Sequence, residues 1–162
     1  MVITAMPAAA NPDGAPWGAS DPQSIQNCHS CHFDGKPQMS STAISLDGLP
    51  DRISTGATYT LNLHFAKPVG TVAGFLASAS SGNFSAKGEG LEVNSGQIRS
   101  SEPRTGSSSK FVHWQFEWQA PDSAGPNSLG EVTIMIAINA ANDDQSSFGD
   151  EIHFRTFTAK SD

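Results

Sequence analysis

The stretch from Phe111 to Gln119 reads FVHWQFEWQ, and its strict alternation constrains the fold more than any other part of the chain. Side chains two apart on an extended strand share a face, so Trp114, Phe116 and Trp118 point one way and His113, directly before Trp114, points the other. The same period puts Tyr59, Leu61, Leu63 and Phe65 on one side of a strand with His64 opposite, and Val132, Ile134, Ile136 and Ile138 on one side of another. Strands are expected at 42–46, 58–65, 72–79, 90–94, 111–119, 131–139 and 151–159, each by alternation or by a short apolar run. Gly, Pro, Asn and Ser turns separate them, and no stretch shows a sustained helical period with end caps. This pattern predicts an all-β sandwich of about seven strands, with the tryptophans in its core. At 162 residues the chain is long enough for one such domain around a single core.

Charge removes several function classes. The net charge is −7 and the nine Lys and Arg residues are scattered, so no basic cluster exists to take a nucleic-acid backbone. No run of about 18 apolar residues could form a membrane-crossing helix. The opening MVITAMPAAANPDG resembles the tail of an export signal: a short apolar piece, then Ala8-Ala9-Ala10, then a polar, Pro-containing start. Cleavage after Ala10 is expected, with residues 1–10 a signal remnant whose charged beginning lies upstream of this start. Residues 11–27 then form a Pro/Gly-rich approach, and 28–162 carry the motif and the sandwich. The protein is expected in the periplasm or outside a bacterial cell.

Both cysteines fall in NCHSCHFDGKPQM, residues 27–39, together with two of the five histidines. Cys-x-x-Cys is compatible with a redox dithiol, half a zinc site, a disulfide, or, with a histidine directly after the second cysteine, attachment of a c-type haem. In the haem reading Cys28 and Cys31 form thioether links to two vinyl groups on one porphyrin edge, and His32 is the proximal iron ligand. Each rival lacks a part. A structural zinc site needs a second ligand pair, and none is present. A thioredoxin-like dithiol sits at a strand-to-helix junction, whereas the surroundings of Cys28 are loop-like. A simple disulfide stays open, because such pairs oxidise outside the cytosol. Trp17, in the approach, is placed to pack on whatever the motif binds.

The segments GFLASAS, WQFEWQAP and VTIMIAINAANDDQSSFGDEI, in this order, resemble the reelin-like (reeler) domain group. The likeness is to its bacterial members, in which a C-x-x-C-H segment precedes the sandwich, and it spans roughly residues 28–158. It implies a secreted or surface-exposed Ig-like sandwich and supplies no defined activity. The chain departs from many such relatives in the FDGKPQM insert after the motif and in His113 standing before Trp114.

Strands running alternately up and down would bring His64, His113, Asn139 and His153 to the end of the sandwich nearest the motif. In an Ig-like layout the strands bearing His64 and His113 are sheet neighbours, so these two histidines should lie side by side. The candidate distal iron ligands are, in order, His113, His64 and Met39. The six residues between His32 and Met39 reach only about 20–25 Å when extended, barely enough to pass a macrocycle edge. Met135 lies mid-strand and Met6 leaves with the signal. Asn139, Asn142, Asp143, Asp144, Asp150 and Glu151 offer a density of oxygens that suits Ca²⁺, but the spacing is not that of an EF-hand and turn chemistry accounts for the same residues.

The expected function is therefore that of a monohaem c-type cytochrome, an electron carrier rather than an enzyme, with one covalent haem per chain. Its acidic surface would suit a redox partner with a basic docking surface. Two alternatives stay open: an extracellular binding or adhesion module with a Cys28–Cys31 disulfide, and a five-coordinate haem protein that binds a gas. No phosphate loop or paired-carboxylate motif points to a nucleotide enzyme or a hydrolase.

Overall fold

The computed structural model describes residues 14–21, 23–24, 27–32, 35–66, 72–105, 111–122, 130–142, 144, 146 and 148–161. The expected signal remnant, with Met6 and Ala10, lies outside these residues, as does Asp143. The described strands are β1 (Ile44–Asp47), β2 (Arg52–Ile53), β3 (Thr58–Ala66), β4 (Val72–Ala79), β5 (Asn83–Ala86), β6 (Leu91–Asn94), β7 (Gln97–Ser100), β8 (Arg104–Thr105), β9 (Phe111–Gln119), β10 (Glu131–Ala141) and β11 (Glu151–Ser161). They build two sheets, one ordered β1-β3-β9-β5 and the other β2-β11-β10-β4-β7-β6, with β8 also paired to β4. The fold is an all-β sandwich.

All seven expected strands are present as β1, β3, β4, β6, β9, β10 and β11. The additional strands, β2, β5, β7 and β8, are two to four residues long. Such segments are too short to display a period, and they are extended because a longer neighbour supplies their hydrogen bonds. β7, for example, pairs with β4 through Leu76↔Arg99, Ala77↔Ile98 and Ser78↔Gln97.

Alternation sets the core as expected. Leu61, Leu63 and Phe65 of β3, Trp114, Phe116 and Trp118 of β9, and Ile134, Ile136 and Ile138 of β10 are all buried in one cluster between the sheets. Phe75 on β4 joins the two sides, with its ring centroid 4.9 Å from Trp114 and 5.6 Å from Phe116. Burying a side chain of this size is worth about 1.5–3 kcal/mol, so these residues supply much of the driving force for folding.

The N-terminal segment lies across the outer face of the seven-stranded sheet. Gly18 N donates to the Gln97 side chain (2.9 Å), Ser20 Oγ to Ser78 Oγ (2.8 Å), and Arg99 Nη1 to Ala15 O (2.6 Å). Beneath it, Leu76 of β4, Ala137 of β10 and Phe154 of β11 form one row in register, all buried although they face away from the core. The covering segment is the physical reason that a row on the outside of a sheet can be apolar.

Candidate functional site

The motif is a single 3-10 turn, Cys28–Ser30, seated on that covered face. Asn27 caps it: its side-chain oxygen accepts from His29 N (3.0 Å). Cys28 O accepts from both Cys31 N (3.4 Å) and His32 N (3.2 Å), which folds the C-x-x-C-H sequence back over its first cysteine. Cys28 N in turn donates to Ala19 O (3.4 Å), tying the turn to the covering segment.

The two thiols are unjoined and differ in setting. Cys28 packs against Ala137, Ile152 and Phe154, and its Sγ donates to Ala19 O (3.4 Å). Burial pushes its thiol up to about 11, which keeps it protonated. Cys31 is exposed.

His32 closes the turn against the start of β11. Its Nδ1 lies 2.7 Å from Oδ2 of Asp150, although the ring is not aligned for a hydrogen bond to it. Asp150 itself is buried, with 3% of its surface exposed. The Asn139 side chain donates to its Oδ2 (3.2 Å) and Asn142 N to its Oδ1 (3.3 Å). Gly149 makes the approach to Asp150 with φ +80°, a conformation that favours glycine, and a Cβ there would stand 3.0 Å from Asn142 Nδ2.

Asp144, in the same acidic loop, spends its oxygens on the loop's own turns. Asp144 accepts from Asn142 Nδ2 (3.0 Å) and Ser146 N (2.9 Å), and hydrogen bonds from Ser146 and then Asn142 hold its carboxyl below the usual range. Among the described residues, no three or more His, Cys, Asp and Glu side chains converge as a metal-binding group.

The remaining histidines separate. His64 and His113 do stand side by side, opposite each other in the β3–β9 register, with ring centroids 6.1 Å apart. They lie on the outer face of the four-stranded sheet, where His64 Nε2 is 3.4 Å from Asp47 Oδ2. The motif lies on the outer face of the other sheet, so the expected gathering of three histidines at the motif is corrected: both rings point away from the core on the far side of the sandwich. His153 points inward, with its ring 4.9 Å from that of Phe65, Nδ1 2.9 Å from Ser41 Oγ and Nε2 3.4 Å from Glu151 Oε2.

Met39 is at the motif's end of the molecule. Gln38 N donates to Ile152 O (2.7 Å) and Phe154 N to Gln38 O (2.9 Å), so the chain just before Met39 runs along the edge of β11, a few residues from Asp150. Met39 is 54% exposed. Trp17 packs under the Arg99 guanidinium, 4.5 Å from the ring centroid.

Asp150 escaped the sequence reading as a partner of His32, since it stood among residues assigned to turns. One signal was present: Leu76, Ala137 and Phe154 occupy outward positions of their strands, which requires a covering segment over the face that ends at Asp150.

Solved structures define the fold. The chain is similar to the reelin-N domain of F-spondin at 21% identity and a TM-score of 0.55, covering 83% of this chain and 96% of that one. It is similar to the human F-spondin reeler domain at 20% identity and a TM-score of 0.53, covering 80% of this chain and 96% of that one. The fold is therefore reelin-like. No family model and no curated protein matches the sequence.

Proposed function

We propose that the protein is a monohaem c-type cytochrome in which a reelin-like sandwich carries one covalently bound haem for one-electron transfer in the cell envelope. The observation that carries this reading is the Cys28–His32 turn, in which Cys28 packs on one sheet face, Cys31 is exposed, and the following imidazole is backed by a buried carboxylate. A metal-binding histidine regularly has such a partner on its other ring nitrogen. The residues present fit a haem, because the porphyrin supplies four of the iron's ligands and the protein need add only one or two.

Cys28 and Cys31 would hold the group through thioether links to its two vinyl groups. His32 would bind the proximal side of the iron through Nε2. When bound, haem c supplies a reversible one-electron couple. Of the distal candidates, Met39 shares the motif's end of the sandwich, and this reading makes it the sixth ligand in place of His113 and His64. An acidic chain would dock on a partner with basic groups, and the N-terminal signal pattern supports export. Among the described residues no helix is long and apolar enough to cross a membrane.

The test is an absorption spectrum, oxidised and dithionite-reduced, of protein exported from a host with cytochrome c maturation machinery. Sharp reduced bands of six-coordinate iron are expected. A broad high-spin spectrum would replace electron transfer with ligand binding at an open site, and a colourless protein would return Cys28 and Cys31 to a disulfide on a binding module.

A further inference from the structure

Asp150 places a carboxyl group in an expensive, buried position. A buried carboxylate needs compensation, and the Asn139 and Asn142 groups that donate to it are neutral amides. The group that meets it at 2.7 Å is Nδ1 of His32. Gly149, the Asn139 side chain and the Asn142 backbone fix the carboxylate, whereas the His32 ring sits at the end of a short turn and follows it.

We infer that Asp150 is a positioning residue for His32, which holds the imidazole as the Nδ1–H tautomer, presents Nε2 to the iron, and lowers the iron's midpoint potential. This rests on the haem reading above. A small rotation of the ring brings its N–H onto Oδ2, and a carboxylate behind an iron-bound imidazole makes the ligand more electron-donating and favours the oxidised metal. The Asn139 side chain tunes the effect, because it donates to the same oxygen and draws off part of its charge.

Three full-length proteins test this: wild type, Asp150→Asn and Asn139→Ala, each produced with haem and each also as the 15N-labelled haem-free chain. Asp150→Asn keeps one of the two acceptor oxygens and removes the charge, so reduction should become about tenfold more favourable, which is about 59 mV for one electron. Asn139→Ala should shift the potential the opposite way and by less. The His32 ring nitrogens of the haem-free wild type should report Nδ1–H, and Asp150→Asn should lose that preference. Haem bound, with an unmoved potential and unmoved ring nitrogens in Asp150→Asn, overturns the role of Asp150 and leaves the cytochrome reading standing. A wild type that takes up no haem overturns both. Should Asp150→Asn fail to fold, a folded Asn139→Ala with unchanged potential overturns the role of Asp150 by itself.

Discussion

On the four-stranded sheet the outward positions along the middle of β3 and β9 are Asn62, His64, His113, Gln115 and Glu117, all polar, with cross-strand contacts such as Gln115 Nε2 to Asn62 Oδ1 at 2.8 Å, while Phe111 stands exposed at the start of β9. On the seven-stranded sheet the outward row is Leu76, Ala137 and Phe154, all buried under the N-terminal segment. A sheet with one wet face alternates cleanly, and a sheet covered on both faces reads as a nearly continuous apolar run. β9 is the first kind and β4, VAGFLASA, is the second. The chemistry follows the cover: a face that already holds a folded-back segment can seat a cysteine pair and bury a carboxylate, whereas the bare face keeps its histidines in water.

The largest expected effects test that cover. Leu76→Ala removes a side chain that is 0% exposed and should cost about 2–5 kcal/mol in chemical denaturation. Gln115→Ala, on the bare face, should stay within about 0.5 kcal/mol. Equal losses at the two positions would mean that the N-terminal segment does not protect the outer row.

Iron ligation sharpens the same contrast. In the haem-loaded protein Met39→Ala should convert a low-spin spectrum to high-spin, while His64→Ala and His113→Ala leave it unchanged. A high-spin shift in His113→Ala would bring the bare face back to the iron, for instance through a second copy of the chain.

A smaller effect comes from His153, which sits at the seam between the sheets. Desolvation holds its ring below the ordinary value of 6.5, opposed in part by Glu151. The unfolded chain then takes up a proton that the folded one refuses. Stability is full above about pH 6.5 and falls as the pH drops below it, with a slope no steeper than about 1.4 kcal/mol per pH unit, until the folded ring protonates as well. Unfolding midpoints measured across this window should flatten in His153→Gln; a His153→Gln profile as steep as wild type would assign the acid sensitivity to other groups.

Thiol reactivity separates the two cysteines most gently. In the haem-free protein Cys31 should be alkylated well before Cys28, whose thiol is pushed up to about 11 by burial, and denaturant should erase the difference. Equal native rates would place Cys28 outside the packing against Ala137, Ile152 and Phe154.

The fold was legible where alternation ran long. β3, β9, β10 and β11 announce themselves over eight or more residues, and the pairing of His64 with His113 follows from an Ig-like order of strands. β2 and β8 carry no period at two residues each, and they exist through their neighbours. The motif was legible as spacing, Cys28, Cys31 and His32. Its surroundings were not, because strand order alone does not say across which outer face the described residues between 14 and 32 lie. That choice is made by Leu76, Ala137 and Phe154, which are apolar where a wet face would have polar residues. It is also what carries His64 and His113 away from the motif and brings Asp150 to His32.

The most direct test is the intact mass of the denatured protein, exported from a host that matures c-type cytochromes, beside its Cys28→Ala, Cys31→Ala double variant. A mass increase of one haem in wild type, absent from the double variant, is the predicted result. A wild-type mass equal to that of the polypeptide, or lower only by the two hydrogens of a disulfide, would contradict the account.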